Sequence, residues 1–239
     1  RRTHIRTCVK IVSYNIHRGY GTDRKYDLDR IAIVLEQLRA DIVALQEVDT
    51  ALSGPSGLHQ LEYLARRIGF VAVEGPASVR QRGFYGNALL TRQPVASSKS
   101  IDLCVSGREP RLALDVVLDG PVRTRVVVVH LGLRAFERRR QVRCLLDALA
   151  EHEPGITIVL GDFNEWLPVG RPLRWIHRDL GATQDLRTFP SGFPVLALDR
   201  IWVRPAERLR HVYVHATPLA RVASDHLPVV AEVACEHDP

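Results

Sequence analysis

Methionine is absent, lysine occurs only at Lys10, Lys25 and Lys99, and aromatic residues make up just 6% of the 239 positions. The four cysteines form no CxxC pair, so the usual spacing of a structural zinc site is missing. Four cysteines are also too few for a disulfide-stapled secreted scaffold, and buried free thiols are their expected state. No apolar run approaches the roughly 20 residues that span a bilayer. The longest candidates, such as Val126–Val129, have strand length. No apolar segment of the signal-peptide kind follows the opening Arg1-Arg2-Thr3-His4, a start that does not reveal the compartment; a cytoplasmic location is the expectation. A content of 46% hydrophobic and 25% charged residues excludes a disordered, collagen-like or coiled-coil chain.

Arginine carries almost all of the positive charge, and the net charge is +6. A guanidinium offers phosphate a planar fork of donors, which tilts the surface toward anionic partners, nucleic acid or lipid headgroups. A chain-wide exchange of lysine for arginine would give the same balance. The length suits one domain with a sizeable core. A single domain is expected over residues 9–234, with terminal extensions at 1–8 and 235–239.

Strands are predicted at Val9–Tyr14, Ile42–Leu45, Phe70–Val73, Ala88–Leu90, Val95–Leu103, Leu112–Leu118, Arg123–His130, Ile156–Leu160, Asp199–Val203, His211–Val214 and Pro228–Val233. Leu28, Ile31, Val34, Leu35 and Leu38 stand at helical spacing behind an Asp27 cap, which predicts a helix over Leu28–Arg39. Further helices are predicted at Leu58–Ile68 with Gly69 as its cap, at Phe136–His152 and near Leu173–Asp179. Strands interleaved with a few helices favour a layered α/β domain with helices outside packed sheets.

Polar residues capable of binding ligands recur where the apolar strands stop: Asn15, Glu47, His130, and Asp162 with Asn164. Asp199 opens a later strand, and Asp225-His226 precedes the last one. Strand ends are where a rigid scaffold presents reactive groups. Each alone has a bland reading as a turn or capping residue. The oxygen-rich set of Asn15, Glu47, Asp162, Asn164 and Asp225 suits a hard divalent cation such as Mg²⁺. His226 beside Asp225, with Asp199 available to orient it, suits a tuned imidazole–carboxylate pair.

In order along the chain stand Ser13-Tyr14-Asn15, Leu45-Gln46-Glu47-Val48, Gly86-Asn87-Ala88-Leu89, His130-Leu131, Gly161-Asp162-Phe163-Asn164, Leu198-Asp199-Arg200-Ile201 and Ser224-Asp225-His226-Leu227-Pro228. This series resembles the endonuclease/exonuclease/phosphatase superfamily, which holds deoxyribonuclease I-like nucleases, abasic-site endonucleases, neutral sphingomyelinases and inositol polyphosphate 5-phosphatases. The resemblance runs from about Lys10 to Val233. It implies a four-layered α/β sandwich, two packed mixed β-sheets flanked by helices, and a metal-dependent phosphoester hydrolase. It further implies Glu47 as the principal metal ligand, with Asn15 beside it and Asp225 as a second metal-side carboxylate. Asp162 would align or deprotonate the attacking water, and Asn164 would contact phosphate. His226 would serve acid–base chemistry with Asp199 as its partner, and His130 would protonate the leaving group. Mg²⁺ is the implied cofactor, with Mn²⁺ as its substitute.

The sequence departs from the nuclease branch at one place: Asn87 stands where that branch carries a glutamate paired to the second histidine. Neither the ring-phosphate motifs of the inositol phosphatases nor the aromatic membrane hairpin of secreted sphingomyelinases is found. Asn87 and Arg111 are taken as substrate-contact candidates; an arginine that opens a strand, as Arg111 does, has phosphate contact as one reading and a plain surface position as the other. The expected function is a phosphodiesterase acting on nucleic acid; the alternative is a phospholipid phosphodiesterase or small-molecule phosphatase. A non-catalytic binding module would need a broken metal or histidine position, and none is broken.

Overall fold

The computed structural model describes residues 8–54, 57–80, 83–151 and 155–235. The expected terminal extensions fall outside the described residues except for Cys8 and Cys235, and Cys8 already opens the first strand. The elements run β1 Cys8–Asn15, α1 Leu28–Leu38, β2 Ile42–Asp49, α2 Gln60–Ile68, β3 Val71–Arg80, β4 Gly83–Thr91, β5 Val95–Asp102, β6 Leu112–Asp119, β7 Arg123–His130, α3 Ala135–Leu149, β8 Ile156–Asp162, α4 Arg171–Leu180, β9 Asp199–Arg204, β10 Leu209–Val214, α5 Ala220–Ala223 and β11 Val229–Ala234.

One sheet has the order β10-β11-β1-β2-β4-β3 and the other β5-β6-β7-β8-β9. Strand periodicity builds the layers. Along β7, Val126 and Val128 point into the core between the sheets, while Val127 and Val129 face α3 and α4. Along β1, Ile11 enters the same inter-sheet core, and Val12 and Tyr14 meet α1. The result is the four-layered α/β/β/α sandwich of deoxyribonuclease I-like proteins. Side chains on both faces of these central strands are buried, which explains their nearly continuous apolar runs.

Each sheet contains one parallel pair, β1 with β2 across α1 and β7 with β8 across α3. These four strands end at one rim of the sandwich. Antiparallel β9 and β11 start there. The rim therefore collects strand termini from both sheets, and this placement concentrates polar groups without interrupting the core.

The hairpin β3–β4 is longer than the sequence pattern predicts. Predicted Phe70–Val73 extends to Arg80, and predicted Ala88–Leu90 begins at Gly83. β3 is an edge strand, so it tolerates Pro76, polar Glu74 and a register shift between Pro76 and Ser78. Gly86 is required opposite it, since a Cβ there would lie 2.2 Å from the Gly75 carbonyl oxygen. The predicted end of the third helix at His152 lies outside the described residues.

Candidate active site

The backbone at the rim is bent to aim side chains. Glu47 sits in a β-bulge, where the pairing of β2 with β4 shifts between Leu45 and Val48, and its φ is +58°. A non-glycine residue held there costs about 1–3 kcal/mol and persists only where the surroundings enforce it. Asn164 has φ +49° in the turn after β8. That turn is fixed by the Asn164 N–H donating to Asp162 Oδ1 at 2.9 Å and by its side-chain amide donating to the Leu131 carbonyl at 3.0 Å. Gly161 just before Asp162 has φ +145°, and a Cβ there would fall 1.8 Å from the Val129 carbonyl oxygen.

Asn15 joins the two sheets. Its Nδ2 donates to Glu47 Oε1 at 3.0 Å and to Asp162 Oδ2 at 3.1 Å, while its Oδ1 accepts from the His17 N–H at 3.0 Å. The Ser224 hydroxyl donates to the Asn15 carbonyl at 2.8 Å and tethers the loop that carries Asp225 and His226. Asp162 then stands between two imidazoles, 3.6 Å from His130 Nε2 and 3.7 Å from His226 Nε2. Behind His226, its Nδ1 lies 2.8 Å from Asp199 Oδ2, which also accepts from the Thr188 hydroxyl at 2.5 Å. Behind His130, Arg111 Nη1 lies 3.1 Å from Nδ1, and Arg111 Nη2 donates to Glu109 at 2.8 Å. These groups open into a cleft of about 620 Å³.

A guanidinium can only donate, so the contact with Arg111 requires a lone pair on His130 Nδ1. His130 is therefore neutral with its proton on Nε2, aimed at Asp162 and the cleft. Burial, Arg111 and His226 all push it well below the ordinary imidazole value. His226 is the opposite case. Burial opposes its charge, but the Asp199 and Asp162 carboxylates outweigh burial and raise it to about 10. Asp162 is raised to about 7, chiefly by burial and then by Asp199, against the pull of His226 and its hydrogen-bond donors. Two imidazoles in one cleft thus hold different charges.

After burial, Arg111 contributes most to this division, which gives a testable consequence. Arg111→Gln keeps a donor near Nδ1 but removes the charge, so the pKa of His130 rises. We expect kcat/KM to fall about 10- to 100-fold, the scale of a lost charge-assisted hydrogen bond. Below about pH 7, where Asp162 already gains its proton, the fall of kcat/KM should become steeper than in the unaltered chain. A variant with an unchanged pH–rate profile would show that Arg111 does not control His130.

Residues 12–226 match the sequence profile of the Endonuclease/Exonuclease/phosphatase family. The chain belongs to this family. It is 33% identical over 251 residues to the uncharacterized protein YbhP of Escherichia coli strain K12, covering 94% of this chain and 95% of the relative. Among solved structures, an endonuclease/exonuclease/phosphatase from Beutenbergia cavernae superposes with a TM-score of 0.74 at 22% identity, over 96% of this chain and 72% of the other. D. rerio TDP2, solved with a single-strand DNA product, superposes with a TM-score of 0.67 at 21% identity, over 95% and 98%. Family members are generally hydrolytic.

Of the residues singled out from sequence, Glu47, Arg111, His130, Asp162, Asn164, Asp225 and His226 line the cleft of this family member, with Asn15 and Asp199 buried directly behind them. Asn87 does not reach it. Asn87 is buried, and its amide donates to the carbonyls of Leu112 and Val128 at 3.0 and 3.3 Å, so it ties β4 to the opposite sheet. Arg111 takes the place beside His130 that the sequence comparison gave to position 87. Sequence reasoning missed Arg18, Tyr85, Glu109, Phe189 and Trp166, which also line the cleft, and Thr188 beneath Asp199. Their only sequence signal is proximity to strand ends, which many surface residues share.

The donor set fits a hard divalent cation. Glu47 and Asp225 present carboxylates to the cleft, next to Asp162, with no thiolate nearby. Among the described residues the one grouping of at least three His, Cys, Asp or Glu residues whose ligand atoms lie within 4.8 Å of one another is Asp162, Asp199 and His226. There Asp199 Oδ2 is occupied by Thr188 and by His226 Nδ1, and His226 is cationic, so that trio suits proton handling better than a cation.

Proposed function

We propose that this chain is a divalent-cation-dependent phosphodiesterase. The observation that carries the reading is the bridge formed by Asn15, which holds Glu47 from one sheet and Asp162 from the other within one cleft that also takes both histidines. Glu47 and Asp225 would hold Mg²⁺, or Mn²⁺ in its place, with Asn15 fixing Glu47. When bound, the cation would neutralise phosphoryl charge and favour in-line displacement.

The chain's own groups would do the rest. Asp162, raised toward neutrality, is suited to orient a water and accept its proton. His226, kept charged by Asp199, would face the phosphoryl oxygens and return a proton. Neutral His130 would donate its Nε2–H as a hydrogen bond, a gentler role than the leaving-group protonation expected from sequence. Asn164 and Arg111 would contact the phosphate from the far side of Asp162.

Nucleic acid is the substrate supported by the arginine excess and by the likeness to TDP2, which was solved with single-strand DNA. A phospholipid headgroup is the second reading, favoured by the exposed Leu133 and Trp166 at the cleft mouth. The test exposes the protein to supercoiled plasmid, phospholipid vesicles and the soluble diester bis(p-nitrophenyl) phosphate, each with Mg²⁺ and with chelator. Hydrolysis of the soluble diester that chelation abolishes is expected. No turnover of any substrate with Mg²⁺ or Mn²⁺ would overturn the reading.

A further inference from the structure

The surface around the cleft mouth is apolar where a soluble enzyme has no need of it. Among the described residues twelve large hydrophobic side chains are exposed, and seven of them lie in three segments that frame the cleft. Leu133 and Phe136 follow β7; Trp166, Leu167 and Val169 follow β8; Phe193 and Val195 precede β9. The tips stand far out, with Leu167 64%, Val169 76% and Phe193 78% exposed. Isolated surface hydrophobics are ordinary; a cluster around one opening marks an interaction site.

The base of this rim is built to be rigid. Arg138 is buried on α3 and donates to the Leu133 carbonyl at 2.6 Å and to Glu165 at 3.1 Å. Glu165 also accepts from the Leu167 N–H at 3.2 Å. One buried ion pair therefore locks the segment after β7 to the segment after β8 and leaves their apolar tips outward. On the other side of the mouth, Arg221 donates to the carbonyls of Ser191 and Gly192 at 3.0 and 3.1 Å and holds the segment carrying Phe193.

Charge selects the partner. Arg134, Arg171 and Arg174 are exposed beside these tips, at the cleft-side ends of α3 and α4, and none pairs with a carboxylate among the described residues. Of the acids nearby, Glu109 pairs with Arg111, Glu137 with Arg108 and Glu165 with Arg138, while Glu47 and Asp225 lie inside the cleft itself. Four of the seven, Leu133, Leu167, Val169 and Val195, are aliphatic and do not stack on bases as aromatic platforms do. Apolar tips with a tryptophan and a ring of unpaired arginines match an anionic lipid surface.

We propose that this rim seats the protein on an anionic membrane with the cleft opening toward the headgroups. The inference goes beyond the hydrolase reading and favours its headgroup form over nucleic acid as substrate; vesicle binding is read with chelator present, so either can fail without the other. The probes are vesicles of phosphatidylglycerol with phosphatidylcholine, and of phosphatidylcholine alone. Flotation should recover the unaltered chain with the anionic vesicles. Arg171→Gln with Arg174→Gln should lower that partitioning about 30-fold at low salt, given the attraction of each juxtamembrane arginine. Leu167→Ser with Val169→Ser and Phe193→Ser should lower it at least about tenfold. Both variants should keep their thermal midpoints and their turnover of soluble diester. Absence of partitioning by the unaltered chain, or equal partitioning by the serine variant, would overturn the proposal. So would loss, in these variants, of oligonucleotide binding or of self-association instead of vesicle binding.

Discussion

Asp162→Asn should cut kcat by about three orders of magnitude, the upper range for removing a positioned general base, while the protein stays folded. The asparagine keeps the shape and the acceptor that meets the Asn164 N–H at 2.9 Å, but its amide nitrogen then faces the Asn15 amide, which in the unaltered chain donates to Asp162 Oδ2 at 3.1 Å. The asparagine cannot take a proton from water. The loss of stability with rising pH should shrink, and its sign follows from linkage. The Asp162 carboxyl is raised to about 7 in the folded chain, so the folded state binds its proton more tightly than the unfolded state does. Stability from this group is then lost as pH climbs from the ordinary carboxylate value through about 7. A neutral amide removes that loss and the repulsion with Asp199, although His226 gives up one of its two carboxylate neighbours. Thermal melts at about pH 8, read with soluble-diester turnover, check both halves. Near-full turnover would mean that another group handles the water, and a large fall in melting temperature would mean that Asp162 is structural.

The central strands were legible because burial on both faces writes them as unbroken apolar runs, as in Val126–Val129 and Ile156–Leu160. The edge hairpin β3–β4 was legible only in part. An edge strand half open to solvent carries Glu74, Pro76 and Ser78, and its pairing depends on close backbone approach at Gly86, which no periodicity reports. The candidate site divides in the same way. Residues at the ends of buried strands, such as Glu47 and Asp162, stand out against apolar neighbours. Their mutual distances come from the way α1 and α3 return the chain to the same rim in each sheet. Thr188 was invisible because it lies in an irregular segment and acts through a single hydrogen bond to Asp199. The exchange of Asn87 for Arg111 beside His130 was equally hidden. Asn87 occupies the expected strand, but the opposite sheet supplies two backbone carbonyls that satisfy its amide, and the guanidinium arrives from the start of β6.

Asp199→Asn is expected to have the second large effect, because in the proposed reaction Asp199 would act on the reacting groups through His226. In the unaltered chain one oxygen, Oδ2, accepts from both Thr188 and His226, and Oδ1 is buried with no partner. An asparagine has two ways to fill this space, and both fail. With its oxygen at Oδ2 it keeps both bonds but buries an unpartnered amide N–H₂, which costs about 1–3 kcal/mol. With its nitrogen there it donates to His226 Nδ1 and forces the neutral tautomer with the proton on Nε2. Either arrangement removes the charge that counters burial, so the His226 pKa falls from about 10. Since His226 serves while protonated, the alkaline limb of kcat/KM should move to lower pH, and turnover at about pH 8 should drop by two orders of magnitude or more. Titration of the imidazole by NMR in the two proteins, beside the pH–rate profiles, separates this electrostatic role from simple damage to the loop. A damaged loop lowers turnover at every pH and leaves the limb in place, whereas loss of the carboxylate shifts the limb and the imidazole titration together.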